Sequence, residues 1–184
     1  MTDTKIEFAE QMGRCREVFE KKLRDYGTSW RIMRLPSLTD QIYIKAARIR
    51  QIEESGENRV GDGVESEFAA MVNYAVMALI LNETPVDKRE DIDGETALRR
   101  YDEILGRTRD LMMDKNHDYS ESWRMMRVSS MVDIILTKIL RIKQIEDNSG
   151  HCLVSEGVEG SYMDIANYSL FCLIRLQEEA ERPH

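Results

Sequence analysis

Residues 22–34, KLRDYGTSWRIMR, return as KNHDYSESWRMMR at 115–127, an offset of 93 residues. The correspondence does not stop there. Asp25, Tyr26, Trp30, Arg31 and Arg34 meet Asp118, Tyr119, Trp123, Arg124 and Arg127, and Ser37, Asp40, Lys45, Arg48 and Glu53 meet Ser130, Asp133, Lys138, Arg141 and Glu146. One inserted residue later, Gly63, Val64, Glu65, Asn73 and Tyr74 meet Gly157, Val158, Glu159, Asn167 and Tyr168. A fixed period of this kind marks a tandem duplication, and it decides the architecture before any single element is read.

Each copy reads as three helices. The first spans about 5–23 and 96–114, with apolar residues at helical spacing such as Ile104, Leu105, Thr108, Leu111 and Met112, and it stops at the Asp-Tyr-Gly or Asp-Tyr-Ser turn. The second opens on Ser-x-x-Asp, where Ser37 with Asp40, and Ser130 with Asp133, are expected to form a capping-box variant. The third, beginning near Val64 and Val158, becomes apolar almost all round, as expected of a buried helix. Three prolines among many Leu, Ile, Met, Glu, Lys and Arg agree with an all-α chain. The boundaries are 1–82 for the first repeat, 83–95 for a charged linker and 96–184 for the second repeat.

A repeat of this size buries too small a share of its surface to be comfortable alone. The two copies are therefore expected to pack face to face as one pseudo-twofold helical bundle with the third helices at its centre. A formal charge of −8 disfavours general duplex nucleic-acid binding while leaving small anions open. The N-terminal segment has no apolar signal core and no stretch approaches the length of a membrane span, so a soluble cytoplasmic protein is expected, with a homodimer allowed. Cys15, Cys152 and Cys172 lack the spacing of staples or a zinc site and read as reduced thiols.

The repeated polar residues offer two kinds of chemistry. Arg31 with Arg34, Lys45 with Arg48, Arg124 with Arg127, and Lys138 with Arg141 stand three residues apart, so each pair shares a helix or turn face that can clamp a phosphate or pair with local carboxylates. Asp62, Glu65 and Glu67, and Glu156, Glu159 and Asp164, cluster near the third helices, with Glu53 and Glu146 closing the second. Such carboxylates suit either magnesium or helix capping. Asp164 faces Ala70 in the alignment, so a metal site would be better formed in the second copy. Asn73 and Asn167 must find partners, either each other across the twofold or a ligand. Trp30, Trp123, Tyr26 and Tyr119 read most simply as core and turn anchors, with an aromatic wall for a base as the sharper reading.

The combination K-x-x-D-Y-x-x-S-W, K-x-x-R-I, V-E and D-I-A-N-Y resembles the nucleotide modification associated domain family, in two copies covering most of the chain. More distantly, the helical layout is similar to the all-α MazG and dimeric dUTPase nucleoside triphosphate pyrophosphohydrolases. That likeness implies Glu156, Glu159 and Asp164 as catalytic carboxylates, joined by Glu146 as ligands to magnesium. Arg31, Arg34, Lys45, Arg48, Arg124, Arg127, Lys138 and Arg141, with Asn73 and Asn167, are then expected to hold a nucleotide or other phosphorylated small molecule. The chain departs from the MazG pattern of E-x-x-E on one helix and E-x-x-D on the next. A non-catalytic helical scaffold or adaptor is the competing expectation.

Overall fold

A computed structural model of the chain describes residues 3–149 and 157–182. Among these residues there are six α-helices and no strand: α1 (Thr4–Tyr26), α2 (Leu35–Ser55), α3 (Val64–Glu83), α4 (Gly94–Tyr119), α5 (Val128–Asp147) and α6 (Glu159–Ala180). Short 3-10 turns at Ser29–Ile32 and Ser122–Met125 join the first and second helices of each repeat.

The helices end where local chemistry predicts. Asp3 and Asp93 cap α1 and α4, each accepting a backbone N–H through its carboxylate, from Lys5 at 2.9 Å and from Thr96 at 2.8 Å. At the end of α1, Gly27 has φ 60, whereas in the second repeat Ser120 and Glu121 occupy the left-handed region at φ 50 and 57. Side chains with a Cβ pay for that conformation. Glu121 is held there by Thr4, Asn116 and Arg124. The expected Ser-x-x-Asp capping box does not form: α2 and α5 begin three residues earlier, with Arg34 and Arg127 at the cap positions and no side-chain cap. Pro36 explains the early start of α2, because its fixed φ suits the first turn and its missing N–H is not needed there. Asp40 and Asp133 instead reach across the bundle, Asp40 to Lys143 at 2.7 Å and Asp133 to Arg50 at 3.9 Å.

The most extensive packing joins α3 to α6, one helix from each repeat. Around this pair lie α2 against α3, α5 against α6, and α2 against α5. The first helices cross between halves: α1 packs on both α3 and α6, and α4 on both α6 and α3. A single hydrophobic core therefore runs through both repeats, with Phe8, Phe19, Ile42, Phe68 and Leu79 joined to Tyr101, Ile135, Tyr162, Ile165 and Leu170. Burial of one such side chain stabilises by about 1.5–3 kcal/mol, and Phe8 against Phe171 and Phe19 against Tyr101 are ring contacts between the halves.

The central position of α3 corrects one expectation. Val64–Glu83 is long and apolar enough to cross a membrane by length and composition, but its apolar surface is turned into the bundle and Phe68, Met71, Val72, Ala75, Val76, Leu79 and Ile80 are fully buried. A second correction concerns the tyrosines. Tyr26 and Tyr119 are each 70% exposed and anchor no core.

Polar contacts tie the halves as well. Arg16 forms two hydrogen bonds to Asp102, at 2.7 and 3.0 Å, Gln11 donates to Gln177 at 2.6 Å, and the Thr39 and Tyr162 hydroxyls lie 2.7 Å apart. Arg124 is surrounded by Glu7, Glu121, Glu178 and the Thr4 hydroxyl while its guanidinium lies over the Trp123 ring. The deepest of these links involves Asn73. Its amide donates to the Cys15 carbonyl of α1 at 3.1 Å and its oxygen accepts from the Tyr101 hydroxyl of α4 at 2.7 Å. Asn73 and Asn167 thus pair with first-helix groups and not with each other. Tyr101→Phe strands the Asn73 oxygen in a buried site, and should lower unfolding free energy by about 1–3 kcal/mol in chemical denaturation.

Candidate functional site

The duplication builds two pockets at equivalent places, each between the end of a first helix, the 3-10 turn and the third helix of the same repeat. The first, of about 510 Å³, is lined by Phe19, Lys22, Trp30, Asn73, Tyr74 and Met77 among others, and the second, of about 580 Å³, by their counterparts Met112, Lys115, Trp123, Asn167, Tyr168 and Phe171. The exposed Tyr26 and Tyr119 stand at the two rims. Both volumes lie within the range of small-molecule sites.

The pockets differ in charge. On the wall of the first, the position of Asp164 is taken by Ala70, and Lys22 is the charged lining residue. In the second, Lys115 of α4 and Lys138 of α5 converge on Asp164 of α6, one on each carboxylate oxygen, at 3.0 and 2.9 Å. The equivalent of Lys138 is Lys45, and it turns elsewhere because repeat one carries Glu67 where repeat two has Ser161. Glu67, almost fully buried, pairs with Lys45 at 3.3 Å and Arg48 at 2.6 Å. One carboxylate moved by about a helical turn on the third helix therefore keeps the lysine in one pocket and withdraws it from the other.

The aromatic walls differ too. Trp123 is 6% exposed and stacks on Phe171 with centroids 4.3 Å apart and planes 11° from parallel. Met77 replaces that ring in the first pocket. In both repeats the indole N–H, Trp30 Nε1 and Trp123 Nε1, is buried without a hydrogen-bond partner among the described residues.

Of the residues singled out from the sequence, Lys138, Asp164 and Asn167 meet in the second pocket, and Asn73 lines the first. Arg141 lies half-buried on α5 one turn beyond Lys138. The remaining cations sit apart. Arg31 is 3% exposed and forms a two-pronged pair with Asp91 of the linker at 2.8 and 3.0 Å, holding the Asp91 carboxyl below its ordinary range. Arg124 is enclosed by carboxylates as described. Arg48 also reaches the Asn58 side chain and the Asp62 carbonyl. Arg34 and Arg127 are exposed, and Arg127 borders a shallow groove with Glu53, Arg175 and Glu179.

Of the expected magnesium ligands, Glu146, Glu159 and Asp164 are among the described residues and do not share a site. Glu159 pairs with Arg107 at 3.4 Å, an arginine also held by Glu83, while Asp164 is taken by the two lysines. Glu146 accepts from the Thr39 hydroxyl at 2.8 Å and the Tyr162 hydroxyl at 3.4 Å. Among the described residues no three His, Cys, Asp or Glu side chains cluster to hold a metal ion. Glu156 lies outside the described residues, as do His151, Cys152 and His184. The carboxylates in view do not fit a common metal. Cys15 and Cys172 are buried free thiols, and burial pushes the Cys15 thiol up to about 12. Lys115, absent from the residues expected at the site, opens the repeated phrase in the second copy, as Lys22 does in the first. Its role depends on Asp164, 49 residues along the chain on another helix.

Burial lifts the Glu146 carboxyl above its usual range, with the two hydroxyls pulling it partly back. The folded state thus holds this proton more tightly than the unfolded chain. Its contribution to stability is present below the unfolded carboxylate pKa and fades as pH rises through the higher folded value. Glu146→Gln should therefore melt higher than the parent at neutral pH and match it in acid. A difference that is flat across pH would contradict this assignment.

A model of the family described as nucleotide modification associated domain 1 matches residues 22–81 and again 115–176. No curated protein and no solved structure matches the chain.

Proposed function

The chain belongs to the nucleotide modification associated domain 1 family, in two tandem copies, and from that footing we propose that its second-repeat pocket binds a phosphorylated nucleoside. The observation that carries this reading is the meeting of Lys115 and Lys138, from two helices, on the single carboxylate of Asp164 beside Trp123 and Tyr168. Lysine ammoniums bind phosphate as point charges, and the Tyr168 ring beside them offers an aromatic wall to a base. A phosphate dianion offers both lysines more charge than Asp164 does, so it competes with that carboxylate for them. Asp164 then keeps its two lysines oriented until the anion arrives.

The proposal is confined to binding. Glu146, Glu159 and Asp164 are held by three separate sets of partners, so no hydrolytic step is routed through them. A second reading, a helical adaptor, is favoured by Ile32 and Met125, which are each 89% exposed at equivalent tips of the two 3-10 turns. Under that reading Ile32→Ser with Met125→Ser abolishes self-association in sedimentation velocity, and nucleotides change nothing.

Under the nucleotide reading, nucleoside mono- or diphosphates raise the melting temperature in a concentration-dependent way, because a ligand that binds only the folded state stabilises it. Lys138→Met should weaken that binding about 10- to 100-fold, the loss of one charge-assisted contact of about 1.5–3 kcal/mol, with little change in unliganded stability. Asp164→Asn should tighten it by removing the competing carboxylate. Calorimetric titration measures both, and equal affinity across the three proteins would exclude this pocket.

A further inference from the structure

The two buried asparagines have the same first partner and different second ones. Asn167 donates to the Thr108 carbonyl at 3.1 Å, as Asn73 does to the equivalent Cys15 carbonyl. A carbonyl can only accept, so this bond fixes which end of the Asn167 amide is nitrogen. The oxygen of Asn73 is met by the Tyr101 hydroxyl, but the residue equivalent to Tyr101 is Phe8, which has no hydroxyl. Phe8 is fully buried and its ring stands edge-on to Phe171, one turn beyond Asn167, with centroids 5.8 Å apart. Asn167 Oδ1 is accordingly left without a hydrogen-bond partner among the described residues, on a side chain only 5% exposed that lines the second pocket. An unmet acceptor in such a place is destabilising, and the other repeat shows that one hydroxyl would satisfy it.

We infer that Asn167 Oδ1 is a specificity-determining acceptor for an N–H group of the ligand, and that Phe8 leaves this buried oxygen unclaimed from within. This rests on the nucleotide reading of the same pocket and deepens it: the ligand class becomes a phosphorylated nucleoside whose base presents an N–H donor. The first pocket cannot make this selection, because Tyr101 already fills the acceptor of Asn73. Phe8 touches no ligand in this account and acts by withholding a competing donor.

The test pairs a protein change with a ligand change. Uridine and guanosine 5′-monophosphates are titrated calorimetrically beside their N3-methyl and N1-methyl forms, against the unaltered chain and Phe8→Tyr. The expected result is that Phe8→Tyr melts higher yet binds the unmethylated ligand about tenfold more weakly, and that methylation weakens binding to the unaltered chain to a similar extent. If Phe8→Tyr does not fold, the methylated pair alone decides. Phe8→Tyr that melts higher with affinity unchanged, or methylated and unmethylated ligands that bind equally, overturns the inference while leaving nucleotide binding intact. Absence of binding by both unmethylated ligands overturns it together with the reading beneath it.

Discussion

The structure depends on the contact between α3 and α6. Both helices are apolar around most of their circumference, so neither can rest on a surface with water on the other side. Each is enclosed on its remaining faces by helices of its own repeat and by the first helix of the other. Removing one repeat would expose a broad apolar face of the survivor, far more than the few kcal/mol by which domains exceed their unfolded states. The pockets inherit their rigidity from this arrangement, since Asn73, Tyr74, Asn167 and Tyr168 project from the two helices that are packed most completely.

Duplication supplies a built-in comparison, and the departures from symmetry say more than the matches. Glu67 against Ser161, Ala70 against Asp164, Met77 against Phe171 and Phe8 against Tyr101 all bear on the pockets or on the asparagines at their backs. The first two move one carboxylate along the third helix and so decide which lysine faces its pocket. The third adds a ring that stacks on Trp123. The last decides whether a buried acceptor is satisfied from within. Together they make the second pocket the charged one, with an unmet acceptor, and the first the apolar one.

The architecture was legible in the sequence because a repeat with helical periodicity leaves few ways to bury two apolar third helices. Element ends were less so. Ser37 and Asp40 carry a recognisable capping pattern, but Pro36 and the 3-10 turn bring the helix start forward and leave the pair inside it. The site was legible only in part. Lys138, Asp164 and Asn167 could be named from their repetition or their asymmetry, yet Arg31 and Arg124, equally repeated, are occupied by Asp91 and by a carboxylate cluster that spans 171 positions of chain. Spacing within a helix shows which side chains share a face. It does not show which distant carboxylate has already claimed them, and for buried cations that pairing decides the role.

The central claim is that each repeat is the missing core of the other. Residues 1–90 and 91–184 produced as separate chains test it most directly, followed by helical circular dichroism and thermal melting alone and after mixing. Each fragment by itself should show little cooperative melting, and an equimolar mixture should recover a single sharp transition. Cooperative unfolding of either fragment alone, near the melting temperature of the intact chain, would contradict the account.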